Sequence, residues 1–299
     1  MMLRRRQAVR LLSFAAIAAA VPARAADLPR VYAVNAPLAD FASRIAGDAA
    51  TVVFPVPEGT DPAFWRPSIA EVAEIQAADL ILLNGASYAQ WTEKTSLPRS
   101  RIVDTSRAFT DDLIAAEGVV HSHGDDGEHS HTGTASITWL DYAQAAMQAQ
   151  TIADALAKRL PEHADAFAAN LDALKGDLAA LDAEAQRVGA SASGIGMIAS
   201  HPLYQYFARA YDLEVQSLDL DPSETPTEEQ WTELDELKND DGPTIMLWEA
   251  EPLPETRERL EGSGIAVVVF PTLANDRGDF VAQSRESLAR LQAAVAAVL

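Results

Sequence analysis

The chain has 299 residues, no cysteine, 48% hydrophobic residues and a formal charge of −21 at pH 7. Without cysteine it has neither a disulfide framework nor a thiolate metal site, so any metal ligands must be His, Asp or Glu. So acidic a surface repels nucleic acid and anionic membranes while concentrating cations, and the length suffices for two α/β domains or one large one.

The N-terminus has the layout of an export signal: Arg4, Arg5 and Arg6, an apolar run over residues 11–21, and Ala23-Arg24-Ala25 before Ala26. That run is too short to span a bilayer comfortably, so residues 1–25 are expected to be cleaved and the mature chain to be periplasmic. Cleavage removes Arg4, Arg5, Arg6, Arg10 and Arg24 and no acid, taking the formal charge from −21 to −26.

Arg30 to Val34 is a predicted strand, followed by a helix in which Leu38, Phe41, Ala42 and Ile45 follow 3.6-residue spacing. Residues 51–56 make the next strand, closed by Pro57-Glu58-Gly59-Thr60-Asp61-Pro62. Ser68 and Glu71 form a capping box that starts a helix, and Leu80-Ile81-Leu82-Leu83 is the continuous apolar strand of a sheet covered on both faces. A polar helix around Trp91 leads to a strand at residues 101–104. Strand and helix alternate to about residue 110, which predicts a parallel, doubly wound lobe.

Four of the six histidines then fall within eleven residues, at His121, His123, His129 and His131, with Asp125, Asp126 and Glu128 among them. Neutral imidazoles interleaved with carboxylates are metal-ligand material, and Gly124, Gly127 and Gly133 loosen the backbone that carries them. After the tract, helical periodicity continues from Leu140 to about Val188, broken by Pro161 into pieces over residues 141–160 and 162–188. The second piece has the length and composition of a helix bridging two lobes.

The second half repeats the alternation. Its predicted strands cover residues 196–200, 213–218, 244–248 and 265–270, and its predicted helices cover 202–211, 226–237, 254–261 and 279–299. The expected architecture is therefore α/β: two lobes with parallel sheets flanked by helices, joined by a long rigid helix, with the ligand cleft between them. The expected divisions are 26–140, 141–188 and 189–299. Ligands in open α/β sheets sit beyond the carboxyl ends of the strands, where His201, Glu249 and the residues after Phe270 lie.

Several stretches together resemble the periplasmic solute-binding proteins of zinc and manganese ABC transporters. They are Gly59-Thr60-Asp61-Pro62, the run from Ala78 to Gly85, an acidic His-rich loop, Trp139-Leu140-Asp141 heading a long helix, Ser200-His201 with Tyr204, Phe207 and Ala208 behind it, and Glu249-Ala250-Glu251-Pro252. The resemblance covers the mature chain. It implies capture of a divalent ion, an inner-membrane ABC permease as partner, a monomer, and no enzymatic activity. The family's four ligand positions fall here on Ala63, Ile137, His201 and Pro271, so His201 alone retains a donor.

The resulting expectation is a rebuilt site for Zn²⁺ as cargo. His201 is the fixed ligand, His129 and His131 are the main loop donors, His121 or His123 a further one, and Glu249 the carboxylate. A His-rich site suits Zn²⁺ better than Mn²⁺, while imidazole equally suits Cu²⁺ and Ni²⁺. An alternative is a pocket for a small organic solute or metal chelate, lined by Trp65, Trp139, Tyr204 and Trp248 with Arg66, His201 and Glu249. The chain carries neither H-E-x-x-H nor G-x-S-x-G, which argues against a hydrolase built on His201 and Glu249.

Overall fold

The computed structural model describes residues 28–116, 120–122, 128–130, 133–238 and 242–299, with backbone alone at 116, 120–122, 128–130 and 133. The expected cleavage segment lies outside these residues, and no described helix is long and apolar enough to cross a membrane.

The first lobe opens with β1 (Arg30–Ala33), α1 (Ala36–Ala46), β2 (Thr51–Val53), α2 (Ile69–Ala77), β3 (Leu80–Leu83) and β4 (Ile102–Asp104). The four strands form a parallel sheet in the order β2, β1, β3, β4. Asn35 caps α1 by accepting a hydrogen bond from the Leu38 N–H at 3.0 Å, and the Ser68–Glu71 capping box starts α2 as the sequence predicted. β2 stops at Val53, earlier than expected, because Pro55 cannot donate to the ladder. At the end of β3 the chain turns through Gly85, at φ +76°, where a Cβ would fall 1.9 Å from Ser106 Oγ.

Two short antiparallel pairs follow. β5 (Ala115–Ala116) pairs with β8 (Gly133–Thr134), and between them β6 (Val120–Ser122) pairs with β7 (Glu128–Ser130). Then come α3 (Tyr142–Arg159) and the 28-residue α4 (Ala164–Ser191), separated at Pro161 as predicted. α4 packs on α1 and α3 of the first lobe and on the closing helix of the second, so one rigid rod joins the two.

The second lobe comprises β9 (Gly196–Ala199), α5 (Gln205–Ala210), β10 (Glu214–Ser217), α6 (Glu228–Leu237), β11 (Ile245–Trp248), α7 (Pro254–Gly262), β12 (Ala266–Val269) and α8 (Phe280–Val298). Its sheet is parallel in the order β10, β9, β11, β12. Both sheets are thus two-layer covered, as their uninterrupted apolar central strands require.

The segment after β12 is stitched to the first lobe. The Ala36 N–H donates to the Ala274 carbonyl at 2.8 Å, Asn275 Nδ2 donates to the Pro57 and Thr60 carbonyls at 2.7 Å, and the Trp139 indole N–H donates to the Thr272 carbonyl at 2.6 Å. These bonds hold the two lobes in register on the α4 rod.

Asp40 of α1 sits against the N-terminus of α8. Burial pushes its carboxyl up to about 6; Arg44 pulls it back, Asp279 adds repulsion, and the Phe280 N–H helps in the other direction. An acid whose folded pKa exceeds its unfolded value costs stability once ionised: the penalty is absent below the ordinary value of 3.8 and complete above about pH 6. Asp40→Asn is therefore expected to stabilise the protein at pH 7 by about 1–2 kcal/mol, allowing for partial exposure, and to have no effect at pH 3. Urea melts of the two proteins at both pH values measure the difference, and equal gains at both would remove the ionisation argument.

Candidate metal centre

β9 and β11 are adjacent, parallel and aligned (Leu247 opposite Ala199), so the residues just past their ends share one edge of the sheet. That register brings Ser200 and His201 against Glu249. His201 Nδ1 lies 2.6 Å from Glu249 Oε1, and the Ser200 hydroxyl donates to the other Glu249 oxygen. The ring is 3% exposed. Its Nε2 faces a second carboxylate, 3.1 Å from Asp219 Oδ1.

Burial by itself would push the His201 pKa down, but the hydrogen bonds and charges of Asp219 and Glu249 outweigh it and hold the imidazole up at about 9. Burial would raise the Glu249 carboxyl; the hydrogen bond and charge of His201, together with the Ser200 hydroxyl, outweigh it and hold the carboxyl below its ordinary range. Without metal the cluster is therefore an imidazolium between two carboxylates.

His201 and Glu249 open onto a cleft of about 620 Å³ between the lobes. The first lobe contributes residues 59–64, Tyr88 and 134–137, and the second contributes 201–203, Gln205, 249–250 and 271–276 apart from Leu273. Ala63, Ile137, His201 and Pro271, the four positions where the resembled family carries its ligands, all line this one cavity. Their backbones are firmly placed. Asp61 accepts from the Ala63 N–H at 2.8 Å. Asn84 donates to the Ser136 carbonyl at 2.9 Å and accepts from Thr138 and Gln148 at 3.2 and 3.0 Å. Of the four side chains, only that of His201 carries a lone-pair donor for a metal.

The base of the histidine tract stands at the rim. Ala115 and Thr134, of its β5–β8 base, line the same cavity as His201. The base is fastened to the second lobe: Tyr206 of α5 accepts from the Ile114 N–H at 3.1 Å and donates to the Ala135 carbonyl at 2.9 Å. Within the tract, β6 and β7 set His121 opposite His129 in backbone register; His123 and His131 lie outside the described residues. Among the described residues no three His, Asp or Glu side chains converge as a ready metal site.

Three expectations are corrected. Trp139, Tyr204 and Trp248 do not wall the cleft but are buried in the core, and Trp65, also largely buried, lines the adjoining clefts instead. Trp65 packs edge-on against Trp91, and the Tyr204 hydroxyl donates to the Phe270 carbonyl at 2.6 Å. Arg66 lines these adjoining clefts too, one of them together with Glu249 but not with His201. The helix expected from residue 202 begins at Gln205, because the residues after His201 first make a turn, the Leu203 N–H donating to the His201 carbonyl at 2.8 Å. Asp219 went unrecognised in the sequence, since Leu218-Asp219-Leu220 reads as plain alternation at a strand end.

Two parallel α/β lobes on a rigid helical rod, with a deep cleft at the carboxyl ends of the strands, define a solute-binding protein. Comparison with known proteins sharpens that class. The chain belongs to the ZnuA family, whose model, described as zinc-uptake complex component A, periplasmic, matches residues 31–294. It is 28% identical over 207 residues to the zinc-binding lipoprotein AdcA of Streptococcus pneumoniae, covering 67% of this chain and 41% of AdcA. It is 28% identical over 163 residues to the iron-binding protein YfeA of Yersinia pestis, covering 54% of this chain and 50% of YfeA. The chain thus matches only two fifths to half the length of these two relatives. With the high-affinity zinc uptake system protein ZnuA of Paracoccus denitrificans it shares 25% identity over 229 residues, 66% of this chain and 68% of that one.

The fold is also that of solved structures. The metal-dependent lipoprotein YcdH of Bacillus subtilis superposes with a TM-score of 0.76 at 20% identity, over 89% of this chain and 98% of YcdH. FpvC of Pseudomonas aeruginosa in complex with Mn²⁺ gives 0.72 at 22% identity, over 91% of this chain and all of FpvC.

Proposed function

We propose that this is a periplasmic binding component that captures a divalent transition ion, zinc foremost, and delivers it to an ABC permease in the inner membrane. It acts there as a monomer, after cleavage of residues 1–25. The observation that carries the reading is His201: a buried imidazole at the mouth of the interlobe cleft, on the family's ligand position, oriented from behind by Glu249. A carboxylate hydrogen-bonded to one ring nitrogen is the usual second support of a metal-binding histidine.

The binding site is rebuilt around that residue. His129 and His131, with His121 or His123, supply the donors that Ala63, Ile137 and Pro271 lack, and the position of the tract's base on the cleft rim supports this. The acidic field draws cations toward the mouth. Relatives named for zinc, and neighbours solved with Zn²⁺, Mn²⁺ and Ni²⁺, support a transition ion as cargo with zinc first.

Zinc titration of the mature chain beside His201→Ala and a variant lacking residues 121–131 tests the reading. Both variants should weaken a single tight site. If zinc binding survives His201→Ala unchanged, or a tightly held organic molecule copurifies and blocks zinc, the rebuilt-site reading fails and the cleft belongs to a chelate or small solute.

A further inference from the structure

We infer that His201 Nε2 and Asp219 form a metal-ligand pair and that Glu249 orients the ring without ligating, a refinement that rests on the metal-capture reading above. The two carboxylates around His201 are held differently. Both oxygens of Glu249 are engaged, one by His201 Nδ1 and the other by the Ser200 hydroxyl, and its side chain is only 21% exposed. Asp219 faces the opposite ring nitrogen, and its side chain is 40% exposed, so it opens toward solvent from which an ion would arrive.

The spacing fits a shared ion. Zn–N and Zn–O bonds of about 2.0–2.2 Å at an angle near 100° hold their donors roughly 3.1–3.4 Å apart. Nε2 and Oδ1 stand 3.1 Å apart, so an ion seated to one side of the line between them reaches both with little movement of either. The placement is fixed by the sheet. β10 and β9 align with Ser217 opposite Ala199, and the ladder continues as the Leu218 and Leu220 N–H groups donate to the Ala199 and Ser200 carbonyls at 2.9 and 2.8 Å. Asp219 is thereby held level with His201. A carboxylate just past the end of the edge strand β10 thus adds an oxygen donor beside His201, on the side of the sheet away from β12.

The test is calorimetric titration of the mature chain with Zn²⁺ alone at pH 7, comparing Asp219→Asn, Asp219→Glu, Glu249→Gln and His201→Ala, with Co²⁺ absorption spectra of each. A carboxylate that merely holds a proton on His201 competes with zinc, so removing it would tighten binding; a ligand lost weakens it. Asp219→Asn is expected to lower zinc affinity at least tenfold and to alter the Co²⁺ bands, and Asp219→Glu to recover part of both. Glu249→Gln should weaken binding tenfold to a hundredfold while leaving the Co²⁺ band pattern unchanged. If Asp219→Asn binds zinc equally or more tightly while His201→Ala abolishes binding, the pair is wrong and the metal-capture reading stands. If His201→Ala also leaves zinc binding intact, the reading itself is wrong.

Discussion

In a variant lacking residues 121–131, placing imidazoles at Ala63 and Ile137 together is expected to raise zinc affinity by about four orders of magnitude. Structural four-ligand zinc sites are worth about 10–16 kcal/mol, roughly 3 kcal/mol per ligand, which is on the order of a hundredfold for each added histidine. That gain requires the two positions to aim at the point His201 faces. Both line the same cavity as His201, and the backbone is pinned beside each, Asp61 accepting from the Ala63 N–H and Asn84 donating to the Ser136 carbonyl. Cavity space beside Ala63 accommodates the larger ring, and Ile137→His changes volume little. In the metal-free state the double variant should be less stable by about 1–2 kcal/mol, because polar imidazoles replace buried aliphatic side chains, and zinc should more than recover that loss. Competition against a chelator of known affinity gives the number. An unchanged affinity would mean that positions 63, 137 and 201 do not face a common point and that the ion sits elsewhere in the cleft.

The reason such a variant can be designed is that the scaffold was readable where its donors were not. Leu80 to Leu83 and Ile245 to Trp248 are apolar without alternation, and they are the central strands covered on both faces; the Ser68 box starts its helix where the side chains demand it. Thr227 with Gln230 does the same for α6. His201 and Glu249 were legible because topology sends functional residues to strand ends. Asp219 was hidden because its role depends on which strand lies beside β9, a fact of register that local pattern does not encode. Trp139 and Trp248 illustrate the opposite error: large aromatics suit either a pocket wall or a core, and the volume enclosed between sheet and helices decided for the core.

The second large effect concerns the protein without metal. His201→Ala is expected to destabilise it by about 3 kcal/mol more near pH 6 than above pH 10. The imidazole's folded pKa is raised from 6.5 to about 9, so its contribution is complete below pH 6.5 and is lost as pH rises through 9. Each pKa unit is about 1.4 kcal/mol, which sets the size of the loss. Glu249 works from the other side: its folded pKa is lowered, so its contribution exists above the ordinary value of 4.5 and disappears on acidification. The two windows overlap between about pH 4.5 and 6.5, where the metal-free protein should melt highest and where the alanine variant, left with two carboxylates and no cation between them, should show no such maximum. Thermal melts from pH 4 to 10 in the presence of a chelator compare the two, and parallel curves would mean that His201 is not a buried cation. Zinc requires the same Nε2 without its proton, so between pH 9 and 6.5 zinc affinity should fall about tenfold per pH unit, while the stability of the empty protein rises over the same interval. Opposite slopes in the two measurements are the signature of one nitrogen shared by a proton and an ion.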